Sequence, residues 1–444
     1  MSVEIFEEPS RTQWPLRVRA AKPSPQHAIR TIRIGLLGLG QVGQAVARLA
    51  SNREAIAHAG IRFHVEQALV RDLEKPRRCP KPGRITANAS AFVRGNYDVV
   101  IDALSGVEPA RTLVARFLAQ GTSVVTANKA LVAQHGLHLE AIAAAHGASF
   151  RFEATALSAV PFLGTLAARP LVASIDRLIA IVNGTSNYVL TALADGVPFA
   201  TAVARAQEAG FAEPDPSRDV DGRDAADKLL LLTALFGWGR LTRESLDVRG
   251  IDGIGPDDLA AARSLGGTIK PLVFAHRDRA GVRAFVGPAF IAATEPLASL
   301  RGPLNGIRLD GRHVSNLFFS GPGAGPDVTA ATLLDDAVQA ASVDRPPSAK
   351  ATGGRPPRQL SPVFAASPAT SWFVRVTFPG VVPAAQALVP LVASAGLHVD
   401  GVCNHASETS RWLIVGPHGR RDLDAALARL FITHRIHATA FRRI

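Results

Sequence analysis

The sequence predicts an α/β protein in three parts: an open, doubly wound parallel sheet, an α+β unit, and a small βαββαβ module. Three observations carry this reading. A glycine-rich turn, Gly38-Leu39-Gly40-Gln41-Val42-Gly43, sits between a β-type run and a helical stretch. Short apolar runs alternate with helical sequence from Thr31 to about Phe152, the order that builds a parallel sheet. After a stretch rich in Pro and Gly, the chain runs strand, helix, strand, strand, helix, strand to its end.

Taken in order, residues 1–30 read as a polar extension. Thr31–Leu37 is the first strand, Gln44–Ala50 opens the first helix, and Arg62–Val70 is the second strand. Asp98–Ala103 and Ser123–Thr126 are apolar runs of the buried parallel type, and Ser149–Phe152 is the next strand. The first domain therefore spans 31–153, and residues 322–342, helical from 326, complete it. Between 154 and 321 strand-like segments (Ile175–Val182, Phe285–Ile291, Leu317–Ser320) mix with helical ones (Thr201–Ala209, Asp224–Phe236, Pro256–Leu265), which predicts a second, α+β domain. Residues 343–370, with Pro346-Pro347, Gly353-Gly354 and Pro356-Pro357, read as a linker. The module at 371–444 has strands at Trp372–Phe378, His398–Asn404, Arg411–Val415 and His437–Arg442, and helices at Ala384–Ala395 and Asp422–Thr433.

Composition narrows the function. The 444 residues carry a formal charge of +12, which invites a nucleic-acid partner. The arginines are scattered, however, no block of five like charges occurs, and aromatics are only 6%, so neither nucleic acid nor membrane is expected as a partner. No apolar run reaches the roughly 20 residues that span a bilayer, and residues 1–30 lack a signal-type run, so a cytoplasmic location is expected. Two cysteines, Cys79 and Cys403, exclude a disulfide scaffold and a four-cysteine metal site. Of the 49 basic side chains only seven are lysine. In such a chain a retained lysine hints at a position where arginine fails. Lysine is a compact charge whose pKa shifts on burial, and arginine stays protonated.

The glycine turn has the context of a dinucleotide site. Gly38 permits the tight turn, Gly40 lets a pyrophosphate approach the backbone, and Gly43 lets helix and strand pack, with Val42 beside them. After the second strand the sequence is Arg71-Asp72-Leu73-Glu74-Lys75. Arg71 and Lys75 stand where a 2′-phosphate needs cations, so NADP is favoured, while Asp72 keeps NAD open. Thr126-Ala127-Asn128-Lys129 follows another strand of this sheet, at the edge where ligands gather. The segment from Glu213 to Asp224 is acidic and turn-rich, and Asp224 and Lys228 share a helix face at i and i+4. Carboxylates beside one lysine suit a zwitterionic amino acid and a polarised oxygen. Alone, the same pattern also describes a solvated loop with a surface ion pair.

Together these motifs resemble the homoserine dehydrogenase family across residues 32–340. Further matches are Glu153-Ala154, Asn183-Gly184-Thr185-Ser186-Asn187-Tyr188, Gly210 to Pro216, Ile269-Lys270 and Gly321 to Gly325. The resemblance implies interconversion of L-aspartate 4-semialdehyde and L-homoserine with NAD(P), in a homodimer or homotetramer. It assigns the reacting oxygen to Lys228, oriented by Asp224, and to Lys129. It assigns the substrate to Glu213, Asp219, Gly184 and Thr185, and the cofactor also to Ser105, Gly106, Lys129 and Gly325. It places a monovalent cation at Glu153, Ala156 and Ser158, bound through Glu153 and nearby carbonyls, although Glu153 to Pro161 lacks the family's usual glycine pair there. The C-terminal module resembles the ACT domain. Phe378-Pro379-Gly380-Val381 lacks the acidic residue usual before Pro-Gly-Val, so threonine feedback and a purely assembling role both stay open. Two other functions stay open as well: an oxidoreductase of this architecture on another amino-acid aldehyde, and a non-catalytic nucleotide or amino-acid sensor.

Overall fold

The computed structural model describes residues 30–52, 60–158, 160–169, 172–239, 241–342 and 370–444. The predicted extension and linker lie outside these, apart from Arg30 and Thr370. The first sheet has six strands: β1 (Arg30–Leu37), β2 (Ile61–Leu69), β3 (Arg84–Thr86), β4 (Val99–Asp102), β5 (Ser123–Thr126) and β6 (Phe150–Arg151). Their order is β3-β2-β1-β4-β5-β6 and every pair is parallel. This is the doubly wound order, and it reverses between β1 and β4. Val99, Val100 and Ile101 are fully buried, as a strand covered on both faces requires.

The helix Gln41–Ala50 lays Ala45, Val46 and Ala47 against β1. The helix Pro326–Ser342 returns to the same core through Ala330, Leu333 and Ala337. The chain thus crosses to its second unit and comes back, which closes one side of the cleft above β1 and β4.

The second sheet runs β12-β11-β7-β9-β10-β16-β13-β15-β14. Its strands are β7 (Ile175–Ile181), β8 (Asp247–Val248, on the edge of β10), β9 (Gly267–Asp278), β10 (Gly281–Ala292), β11 (Leu304–Gly311), β12 (Val314–Pro322), β13 (Thr370–Thr377), β14 (Val399–Ala406), β15 (Ser410–His418) and β16 (His437–Arg443). The helix Arg223–Leu235 packs Ala226, Leu229 and Leu232 onto Leu178, Ala180 and Val273 of this sheet. Burying each such leucine contributes about 2 kcal/mol. The helix Gly184–Ala194 turns Val189, Leu190 and Leu193 into a neighbouring core.

Two features differ from the sequence reading. Strands β3, β8, β9 and β11 were not anticipated: β3 and β8 have only three and two residues, and Pro271, a buried Lys270 and Gly306 interrupt the apolar pattern of β9 and β11. The C-terminal βαββαβ segment also continues the second sheet. Its strands lie in the order β16-β13-β15-β14, and β16 pairs in parallel with β10 at Ala289–Arg442 and Phe290–Arg443.

Candidate active site

The carboxyl ends of β1, β4 and β5 lie side by side, with Leu37 opposite Asp102 and Asp102 opposite Thr126. The segments that leave these ends therefore converge. Gly38 has a φ of 91°, and a Cβ there would sit 2.9 Å from the Ala103 carbonyl oxygen. A Cβ on Gly43 would meet the Gly38 carbonyl oxygen at 2.2 Å, so close packing of helix on turn demands glycine. Gly40 is different: nothing lies within 4 Å of its Cβ position, which opens onto the cleft. Gly40 also begins the helix with no side-chain cap, so its first N–H groups are left for an anion. Val42 is half-buried against the same core.

Beyond β2 the Arg71 side chain is exposed and makes no hydrogen bond or ion pair among the described residues. Asp72 turns inward to its own loop, accepting from the backbone N–H of Glu74 (2.8 Å) and Lys75 (3.2 Å). Lys75 is exposed beside it. The loop beyond β2 thus presents two exposed cations and a carboxylate that is already engaged.

Ser105 and Gly106 follow β4. The Gly106 carbonyl accepts from Asn128 Nδ2 (2.6 Å), and Asn128 Oδ1 accepts from Leu131 N (3.0 Å), capping the helix Lys129–Ala145. Behind them Thr126 donates its hydroxyl to the buried Asp102 (2.8 Å). Burial pushes the Asp102 carboxyl up to about 6 against the hydrogen bonds from Thr126 and Leu104. This chain fixes Lys129 at the first helical position. Gly325, with a φ of 134°, begins the return helix, where its carbonyl accepts from Thr329.

Across the cleft, Lys228 is only 7% exposed. Its Nζ donates to Asp224 Oδ2 (2.8 Å) and to the Val182 carbonyl (2.5 Å). Asn183 ties the cluster together: Nδ2 donates to Asp219 Oδ1 (2.7 Å) and Asp224 Oδ2 (2.8 Å), while Oδ1 caps the helix Gly184–Ala194 at Ser186 N (2.8 Å). Burial works to raise the Asp224 carboxyl, but Lys228, Lys129 and the hydrogen bonds from Lys228 and Asn183 outweigh it and hold it at about 2. Solvent reaches Lys129, yet its pKa falls to about 8, first because the Lys228 ammonium repels a second charge and then through burial in the cleft. Asp224, Asp219 and Asp227 pull the other way. Two amines and a carboxylate pair thus face one space.

The remaining predicted residues fall as follows. Gly184 begins its helix so close to Pro303 that a Cβ would meet the Pro303 carbonyl oxygen at 2.7 Å. Thr185 donates its hydroxyl to the Phe211 carbonyl (2.7 Å). Glu213 stands exposed on the acidic loop, outside the hydrogen-bonded cluster. The cation expectation changes most. Glu153 Oε1 accepts from Phe162 N and Leu163 N (both 2.9 Å), and Oε2 from Gly164 N (2.6 Å). Its carboxylate caps the helix Leu163–Ala167 and is not presented to a cation. Ser158 has a φ of 54°, and its carbonyl accepts from the Thr332 hydroxyl (3.0 Å); Ala156 is buried and brings no side-chain ligand. The Glu153 carboxylate is thus engaged, and of the expected ligands, Glu153 and nearby carbonyls, only backbone carbonyls are left to face an ion.

Asn183 was absent from the sequence-derived site. The available signal was Asn183-Gly184-Thr185-Ser186, a helix-capping pattern with a polar side chain at the start of a run that becomes buried. The Asp102–Thr126–Asn128 chain was likewise missed, because nothing in Asp98–Ala103 separates a buried networked carboxylate from a strand-end residue.

Comparison with known proteins points to one family. The family model described as "Homoserine dehydrogenase, NAD binding domain" matches residues 38–153, and that described as "Homoserine dehydrogenase" matches 161–338. The homoserine dehydrogenase of Corynebacterium glutamicum is 36% identical over 335 residues, covering 73% of this chain and 74% of that protein. That of Synechocystis sp. is 35% identical over 315 residues, covering 69% and 73%. The crystal structure of a homoserine dehydrogenase from Thiobacillus denitrificans superimposes with a TM-score of 0.78 at 29% identity, covering 94% of this chain and 98% of that one.

Proposed function

The chain belongs to the homoserine dehydrogenase family, NAD(P)-dependent oxidoreductases, and from that premise we propose that it reduces L-aspartate 4-semialdehyde to L-homoserine with NADPH, using Lys228 and Lys129 at the reacting oxygen. The observation that carries this is the buried Lys228, held by Asp224 and the Val182 carbonyl, with a second amine of pKa about 8 facing it.

A bound nicotinamide supplies the hydride. As the aldehyde carbon takes it, the carbonyl electron pair moves onto oxygen, and negative charge develops there. Lys228 and Lys129 stabilise that charge, and an ammonium N–H passes its proton to the oxygen. Asp224 and Val182 fix the Lys228 Nζ, so no reorganisation is needed as charge develops. Asn183 ties Asp219 Oδ1 to Asp224 Oδ2, and leaves Asp219 Oδ2 for the substrate ammonium, with Glu213 as its second carboxylate. Gly184 and Thr185 bring helix-start N–H groups beside it. Gly38, Gly40, Val42 and Gly43, with Ser105, Gly106 and Gly325, form the cofactor's bed.

Preference for NADPH rests on Arg71 and Lys75 and on the inward turn of Asp72. The test is steady-state oxidation of NADPH and NADH with the semialdehyde, for wild type and Arg71→Ala. The KM for NADPH is expected to rise about tenfold in the variant, the scale of one charge-assisted contact, with NADH little changed. Equal rises for both cofactors, or a wild-type preference for NADH, contradict the assignment.

A further inference from the structure

One matching motif, Ile269-Lys270, has no part in the cleft. Lys270 is 5% exposed, and its Nζ donates to the Leu300 carbonyl and to Asn187 Oδ1 (3.4 Å). Among the described residues no carboxylate pairs with it. A buried ammonium without a counter-ion is costly, and it is retained in a chain that has only seven lysines. Burial, and then Arg301, lower its pKa to about 8.

Lys270 borders a cavity of about 210 Å³ between the helix Gly184–Ala194, the helix Pro256–Ser264 and the start of β9. Two more cations reach this cavity. Among the described residues Arg263 bonds only the Ala194 carbonyl (2.8 Å), and Arg301 pairs with Asp195 (2.7 Å). Asp195 is thus a single negative charge among three positive ones. Leu190 and Leu259 add apolar atoms to the lining, and Thr191 adds a hydroxyl group.

We propose that this cavity binds a small aliphatic carboxylate, whose oxygens face Lys270 and Arg263 while its short carbon body lies on Leu190 and Leu259. The cations select the carboxylate, and the leucines in the lining favour an anion with a carbon body over one that is polar all round, such as phosphate. Among the described residues that line it none is a carboxylate to receive an ammonium, so the site excludes a zwitterionic amino acid. Its place gives it reach in both directions. Helix 184–194 starts at Gly184 and Thr185, about 10 Å along the axis from Thr191. Helix 256–264 carries Asp258, which holds the C-terminal strands.

The experiment is calorimetric titration of the full chain with butyrate, and separately with inorganic phosphate. Saturating NADPH and L-homoserine, a pair that cannot react with each other, fill the active-site anion positions. Wild type is expected to take up one butyrate per chain saturably, and Arg263→Gln and Lys270→Met each to weaken it at least tenfold. If Lys270→Met does not fold, Arg263→Gln, altered at an exposed position, still decides. Absence of saturable uptake, or uptake unchanged by Arg263→Gln, overturns the site. Phosphate binding more tightly than butyrate overturns the ligand class.

Discussion

At the scale of single residues, two of the chain's seven lysines, Lys129 and Lys228, meet in the proposed proton relay. Lys228 is clamped, and Lys129 faces it with a pKa near 8. The sign of the resulting pH dependence follows. On the proposed relay Lys129 acts in its protonated form in the reducing direction, so kcat is expected to fall as pH rises through about 8. In the oxidising direction the neutral amine accepts the proton, so kcat is expected to rise through the same pH. Lys129→Ala removes this limb from both profiles, and a limb that persists in the variant assigns it to another group. Both lysines were legible in the sequence because lysine is scarce and these two fall after a sheet strand and on a helix start. Asn183 was not, since a cap residue and a loop asparagine look alike until the helix is seen. Glu213 was legible as an acidic residue, but its exposure outside the cluster was not.

At the scale of elements, the segment after β6 shows how a motif can change its work. Glu153 reads as a candidate cation ligand, yet in three dimensions both its oxygens satisfy the start of the helix Leu163–Ala167. Those N–H groups are buried or nearly so, and removing their charged acceptor leaves them unsatisfied. Glu153→Ala is expected to lower the free energy of unfolding by about 2–3 kcal/mol, read from urea denaturation midpoints at unchanged slope. An unchanged midpoint shows that the N–H groups find other partners. The parallel strands were readable because apolar runs between helices allow few other assignments. Strands β9 and β11 were not, because each carries residues that oppose strand pattern: Pro271 and Lys270 in one, Gly306 in the other.

At the scale of the molecule, two long-range returns shape function. Helix 326–342 goes back to the first core and seats Gly325 at the cleft. The C-terminal strands join the second sheet, and there Asp258, fully buried, accepts from Arg375 (2.6 Å) and from Trp412 Nε1 (2.7 Å), while Phe290 stacks on Phe373 at 5.5 Å. The sequence showed the βαββαβ order of this segment but not its docking, because pairing between distant strands leaves no local pattern. Breaking one side of a buried ion pair costs about 3–5 kcal/mol, so Asp258→Ala is expected to split calorimetric unfolding into an early C-terminal transition and a later one; a single unshifted transition argues against this anchor. The central claim concerns the two amines in the cleft, and one measurement addresses it directly: NADPH oxidation with L-aspartate 4-semialdehyde by wild type, by Lys228→Ala and Lys129→Ala, and by the corresponding arginine variants. The lysine relay predicts turnover lowered by about 100-fold or more in all four variants, arginine included because it keeps the charge but not the exchangeable proton. Near-wild-type turnover in either arginine variant would contradict it.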